Sequence, residues 1–141
     1  MFERILVAID GSEHARRALT VAVDLAQKYG ASLCAVSVAH LPEFSDLRDE
    51  VNGALEDATK FFSRALEEAK GFAQEEGVEI ETSVIPGHPA DALVRFAEAR
   101  GCDLIVMGAR GLSTIQRYLM GSVSEATVRH AHCPVLVVKG K

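Results

Sequence analysis

Four short runs of consecutive apolar side chains set the tightest limit on how this chain can fold. Ile5-Leu6-Val7-Ala8-Ile9 within Glu3–Ile9, then Ser32–Ala39, Cys102–Met107 and Pro134–Val138, show little polar alternation. A strand of that kind needs cover on both faces, which a parallel sheet between two helix layers supplies. The segments between them switch to helical spacing. Ala15, Ala18, Leu19, Ala22, Leu25, Ala26 and Tyr29 form one stripe, opened by Ser12 as N-cap and stopped by Gly30. Leu55, Ala58, Phe61, Phe62, Ala65, Leu66, Ala69, Phe72 and Ala73 form a second stripe closed by Gly77, after a loop over His40–Glu50. Pro89 sits at the first position of a short helix with Ala90, Leu93, Val94 and Ala97 inward, and a last helix runs from Gly121 or Ser122 to His132. Val78–Ile85 differs, because Val78, Ile80, Thr82 and Val84 alternate with Glu79, Glu81 and Ser83; one polar face suits a sheet edge. Strands joined through helices pair in parallel with right-handed crossovers. The expected fold is a three-layer, doubly wound α/β sandwich.

A length of 141 residues fits one domain, 1–141, and 48% apolar residues are ample for its core. No apolar run nears the ~20 residues of a membrane span, and the start is too short for a signal peptide. A cytoplasmic protein without a membrane partner is therefore expected. Cys34, Cys102 and Cys133 are an odd, widely spaced set, which reads as buried thiols rather than a disulfide framework or zinc knuckle. The net charge of −5 is uneven: residues 41–81 hold twelve acids against four bases, and residues 82–141 hold seven bases against four acids. That balance disfavours general nucleic-acid binding, yet the positive last third can receive a small anion.

The segment after the third apolar run points to phosphate. Gly108-Ala109-Arg110-Gly111 follows Met107 directly, at a strand end where such sheets place ligands. Gly108 and Gly111 can take positive φ and admit an anion to the backbone. Gly121-Ser122-Val123-Ser124 then opens a helix whose unpaired N–H groups and dipole favour phosphate. Ser122 and Ser124 add hydroxyl donors and Arg110 a charged one. These glycines can also serve only as a turn and a helix cap.

Gly108, two residues, Gly111, nine residues, then Gly121-Ser122 resembles the motif of the ATP-binding branch of the universal stress protein family. Ile5–Ser12, Asp103–Gly108 and Cys133–Val138 are similar to that family as well, so the likeness spans essentially the whole chain. It implies strand order 3-2-1-4-5 and an adenine lodged near the ends of the first two strands. Ala8 and Ile9 would line that pocket, backbone groups at Val38 would read the base edge, and Met107 and Val123 would belong to the nucleotide-binding set. Asp10 matches the family aspartate beside ribose and metal-bound phosphates. A carboxylate next to a triphosphate calls for an intervening cation such as Mg²⁺, although Asp10 can equally be an acid favoured by a helix dipole. Many members carry histidine or serine where this chain has Arg110, whose side chain then either strengthens the phosphate contact or points to solvent. The family order leaves Val135-Leu136-Val137-Val138 as an open apolar edge, and pairing of segment 134–138 with its copy implies a homodimer.

Several residues read as structural. His130 and His132 are placed to meet the last helix carbonyls rather than a metal, and His88 before Pro89 reads as a helix cap. His14 and His40 have no partner visible in sequence. No GxxxxGK[ST] loop or GxSxG elbow occurs, and Asp10 lacks the neighbours of a phosphorelay receiver. Three functions stay open. The first is a nucleotide switch that binds ATP (or ADP or AMP) and signals to a regulatory protein partner, with slow hydrolysis at most. The second is a nucleotide hydrolase or adenylyl-transferring enzyme, and the third a ligand-free dimeric scaffold.

Overall fold

The computed structural model describes residues 1–41, 48–110 and 121–140. Strands β1 (Arg4–Ala8), β2 (Ser32–His40), β3 (Ile80–Gly87), β4 (Leu104–Gly108) and β5 (Val135–Val138) form one sheet. They alternate with helices α1 (Glu13–Tyr29), α2 (Arg48–Glu75), α3 (Pro89–Ala99) and α4 (Ser122–His130). The strand order is β3-β2-β1-β4-β5 and every pairing is parallel. The expected three-layer architecture and order 3-2-1-4-5 are therefore what the chain adopts.

The apolar runs explain the layering. Ile5, Leu6 and Val7 of central β1 are fully buried, and successive side chains serve opposite faces. Ile5, Val7 and Ile9 pack with Ala18, Ala22 and Val23 of α1 and with Leu66, Ala69 and Ala73 of α2. Leu6 joins Val36, Ile105 and Met107 against Leu93 and Ala97 of α3, with Val123 of α4 alongside. As its alternation suggested, β3 is one edge of the sheet; β5 is the other, with Leu136 38% exposed.

Some boundaries differ from the expectation for local reasons. α2 already begins at Arg48, inside the segment read as loop; Pro42 of that segment lies outside the described residues. β4 starts at Leu104 because the Cys102 N–H closes the end of α3 on the Ala97 carbonyl. The Asp103 carboxylate meanwhile accepts the N–H groups of Glu3 and Arg4 at 2.9 and 3.2 Å, which locks the foot of β4 to β1. Cys34 and Cys102 are buried and Cys133 is only half-buried. His132 lies past the end of α4 and faces Glu98 at 3.3 Å instead of the last helix carbonyls. His88 does take the N-cap position of α3, but its ring makes no capping bond and packs edge-on against His40, centroids 5.9 Å apart.

Candidate functional site

β1 and β4 are neighbours in the sheet, yet their chains leave it toward opposite faces: β1 leads into α1, and β4 leads toward α4. A crevice opens at such a switch point. Here it encloses about 770 Å³ of empty volume, open mouth included. Ala8, Ile9, Val38 and Met107 line it from the strand ends, with Asp10 at the head of α1. Gly108 and Arg110 line it after β4, and Gly121, Ser122, Val123 and Ser124 line it from the start of α4. Every site residue expected from sequence thus borders one cleft, except Gly111, which lies outside the described residues. Phe62, Pro89 and Leu93 also line it. Sequence reading had placed Phe62 and Leu93 in helix stripes, and no local motif marks a stripe residue that overhangs a sheet end.

Val38 contributes backbone as well as side chain. The Val36 carbonyl accepts the Ile9 N–H at 2.9 Å, so the polar groups of Val36 face β1. Two residues on, the Val38 N–H and C=O face the same way, but β1 has ended at Ala8.

Asp10 accepts the Ser12 N–H on Oδ1 at 2.8 Å, bracing the turn into α1, and its other oxygen has no bond among the described residues. Ser12 caps α1, its Oγ accepting the Ala15 N–H at 3.1 Å. α4 starts from Gly121 at φ −69°, ψ 161° with no side-chain cap.

Two roles read from sequence change. Gly108 does not adopt positive φ; what it needs is the absence of a side chain, because a Cβ there would lie 2.7 Å from the His14 backbone and 2.8 Å from the Ala15 nitrogen. The glycine lets α1 sit directly on the end of β4. Ser124, in turn, is 2% exposed, and its hydroxyl donates to the Ala109 carbonyl at 2.7 Å and lies 3.0 Å from the Gly121 carbonyl. The Gly121 N–H also reaches the Ala109 carbonyl, at 2.6 Å. Ser124 therefore clamps the two ends of the glycine segment together and is not an open hydroxyl donor.

Arg110 has a partner that sequence reading did not find: its Nη2 lies 3.0 Å from Nε2 of His14. Burial, with help from the Arg110 and Arg17 cations, lowers the His14 pKa below its usual 6.5 against the opposing pull of Asp10 and Glu13. A lone histidine one turn into a helix carries no local signal of such a contact.

Known proteins match this geometry along the whole chain. A universal stress protein of Methanocaldococcus jannaschii is 38% identical over 99% of this chain and 83% of its own. A universal stress protein solved in complex with cAMP superposes with TM-score 0.77 at 31% identity, covering 99% of both chains. One from Archaeoglobus fulgidus, in complex with dAMP, gives 0.68 at 26% identity over 97% of this chain and 98% of that one. With the Usp family model matching residues 1–139 on top of the sheet order and the cleft, the chain belongs to the universal stress protein family.

Proposed function

We propose that this protein is a nucleotide-dependent stress-response switch whose domain, 1–141, binds ATP with Mg²⁺ in the cleft between β1 and β4. The observation that carries this reading is the convergence of residues from four separate segments on one crevice at the switch point. Adenine fits the apolar end formed by Ala8, Ile9, Val38 and Met107, where the Val38 backbone offers one donor and one acceptor to a base edge. The phosphates fit the uncapped start of α4, where Ser122 and Val123 present backbone N–H groups and Arg110 a guanidinium. The second oxygen of Asp10 suits an ion that keeps most of its waters and takes its other ligands from phosphate, as Mg²⁺ does. The cation, when bound, neutralises phosphate charge; Asp10 holds the turn that presents it.

Hydrolysis is slow at best on this reading, since fast phosphoryl transfer calls for an oriented nucleophile and several positioned cations. Among the described residues no helix is long and apolar enough to cross a membrane, in keeping with a cytoplasmic role. The open apolar edge of β5 favours a homodimer through 134–138, leaving other surfaces to a regulatory partner. A second reading, AMP-type nucleotides as the resident ligand, is favoured by the relatives solved with cAMP and dAMP.

Calorimetric titration of nucleotide-stripped protein with Mg-ATP, ADP and AMP tests both. Saturable heat near one ATP per chain, tighter than AMP, is expected, from samples that light scattering sizes as dimers. Tighter binding of AMP supports the second reading. Heat from none of the three at about a hundred micromolar protein, far above the micromolar affinity expected, overturns both.

A further inference from the structure

We infer that His14 is a positioning residue for anion binding: as the Nδ1–H tautomer, it accepts the Arg110 guanidinium on Nε2 and so fixes that cation at the wall of the cleft. The inference rests on the nucleotide reading only for what Arg110 then meets; the His14–Arg110 contact stands without it.

The chemistry of the pair leaves one assignment. A guanidinium has donors and no acceptor, so a 3.0 Å contact between Arg110 Nη2 and His14 Nε2 requires an unprotonated Nε2 and places the imidazole proton on Nδ1. Nδ1 is buried and meets no hydrogen-bond partner among the described residues. Among the described residues nothing at that nitrogen competes with Arg110 for the choice of tautomer, and the guanidinium selects it. His14 is also closely packed, at its Cβ and at its ring. His14 Cβ would lie 2.7 Å from a side chain on Gly108, and a side chain on Gly140 would collide with the ring itself. Gly140 thus makes room for the imidazole and Gly108 for the turn of α1 that carries it, which suits an orienting group better than a surface histidine. Arg110, Arg17, Asp10 and Glu13 are the charged groups that act on it, and burial with the two arginines keeps the ring neutral, hence able to accept, at neutral pH. Arg110 lines the cleft while making this bond. A long, mobile arginine loses side-chain entropy on meeting phosphate, and prior anchoring removes part of that cost.

The test has one readout that needs no nucleotide. Imidazole nitrogen NMR of the wild type should show His14 as the Nδ1–H tautomer, and Arg110→Ala should return it to the Nε2–H form that free histidine favours. A wild-type Nε2–H tautomer, or one unmoved by Arg110→Ala, overturns the inference. The second readout is affinity for Mg-ATP against adenosine. His14→Phe keeps a ring but no acceptor and should weaken ATP about fivefold, the size of one ordinary hydrogen bond, while adenosine stays unchanged. His14→Gln, whose amide oxygen reaches near the Nε2 position, should restore ATP, and His14→Phe added to Arg110→Ala should cost nothing further. Equal weakening of ATP and adenosine, or no rescue by Gln, makes His14 merely structural. If the wild type binds no ATP at all, the nucleotide reading fails by itself and the tautomer still decides the role of His14.

Discussion

α1 and α4 both begin at the rim of the cleft, and only α1 closes its own N-terminus. Ser12 Oγ accepts the Ala15 N–H and Asp10 accepts the Ser12 N–H, whereas the cap carbonyl takes an N–H at 3.0 Å in both helices, Arg16 in α1 and Glu125 in α4. α4 starts from a glycine with no side chain to cap it. Helix starts leave several N–H groups without intrahelical acceptors. A chain that supplies a side-chain acceptor at one start and withholds it at the other leaves the second, on the proposed reading, to the ligand. The same dipole stands at both ends, so what separates them is the residue at the cap.

The strongest way to break this comparison is to dislodge the closed end. α1 holds its place because Gly108 lets its first turn rest on the end of β4. Gly108→Ala sets a methyl group against backbone, which no rotamer change relieves, and should cost about 3 kcal/mol by the usual scale of overpacking. Urea unfolding measures it through the midpoint. A loss of less than about 0.5 kcal/mol, the range of ordinary surface changes, means that α1 is not seated where the comparison requires.

That glycine also shows what sequence could and could not supply. The strand runs were legible because consecutive apolar residues admit few other solutions, and β3 declared its edge position through its glutamates. The cleft residues were legible because a strand end, glycines and serines lie close together in the chain. Local reading failed where a residue's role is set by another segment. Gly108 was read for backbone freedom and is instead a seat for α1; Ser124 was read as a ligand donor and is a clamp on Ala109. His14 and Arg110 meet across 96 positions, and nothing near either one announces the other.

A sharper test converts the open start into a closed one. The Gly121 backbone, at φ −69° and ψ 161°, is extended and accepts any residue. Gly121→Asp supplies α4 with the acceptor that Ser12 gives α1, and sets a carboxylate where phosphate is expected. Mg-ATP affinity should fall tenfold or more, about 1.4 kcal/mol, while stability holds or rises by about a few tenths of a kcal/mol from the added cap. Calorimetry and urea unfolding on the same sample separate the two effects. Unchanged affinity means that the start of α4 is not where the anion sits.

The smallest effect belongs to the closed end, and it is the control for the other two. Ser12→Ala removes the Oγ that accepts the Ala15 N–H but leaves the Ser12 N–H on Asp10, because that bond is made by backbone. The turn that presents Asp10 should survive, and only the cap is lost. N-cap serines contribute about 1 kcal/mol, so the unfolding free energy from urea titration should drop by that amount. Mg-ATP affinity should stay within about twofold, since at 7% exposure Ser12 has little surface to offer a ligand. A tenfold loss of affinity without a larger loss of stability means that both helix starts serve the ligand, and the cap residue no longer distinguishes them.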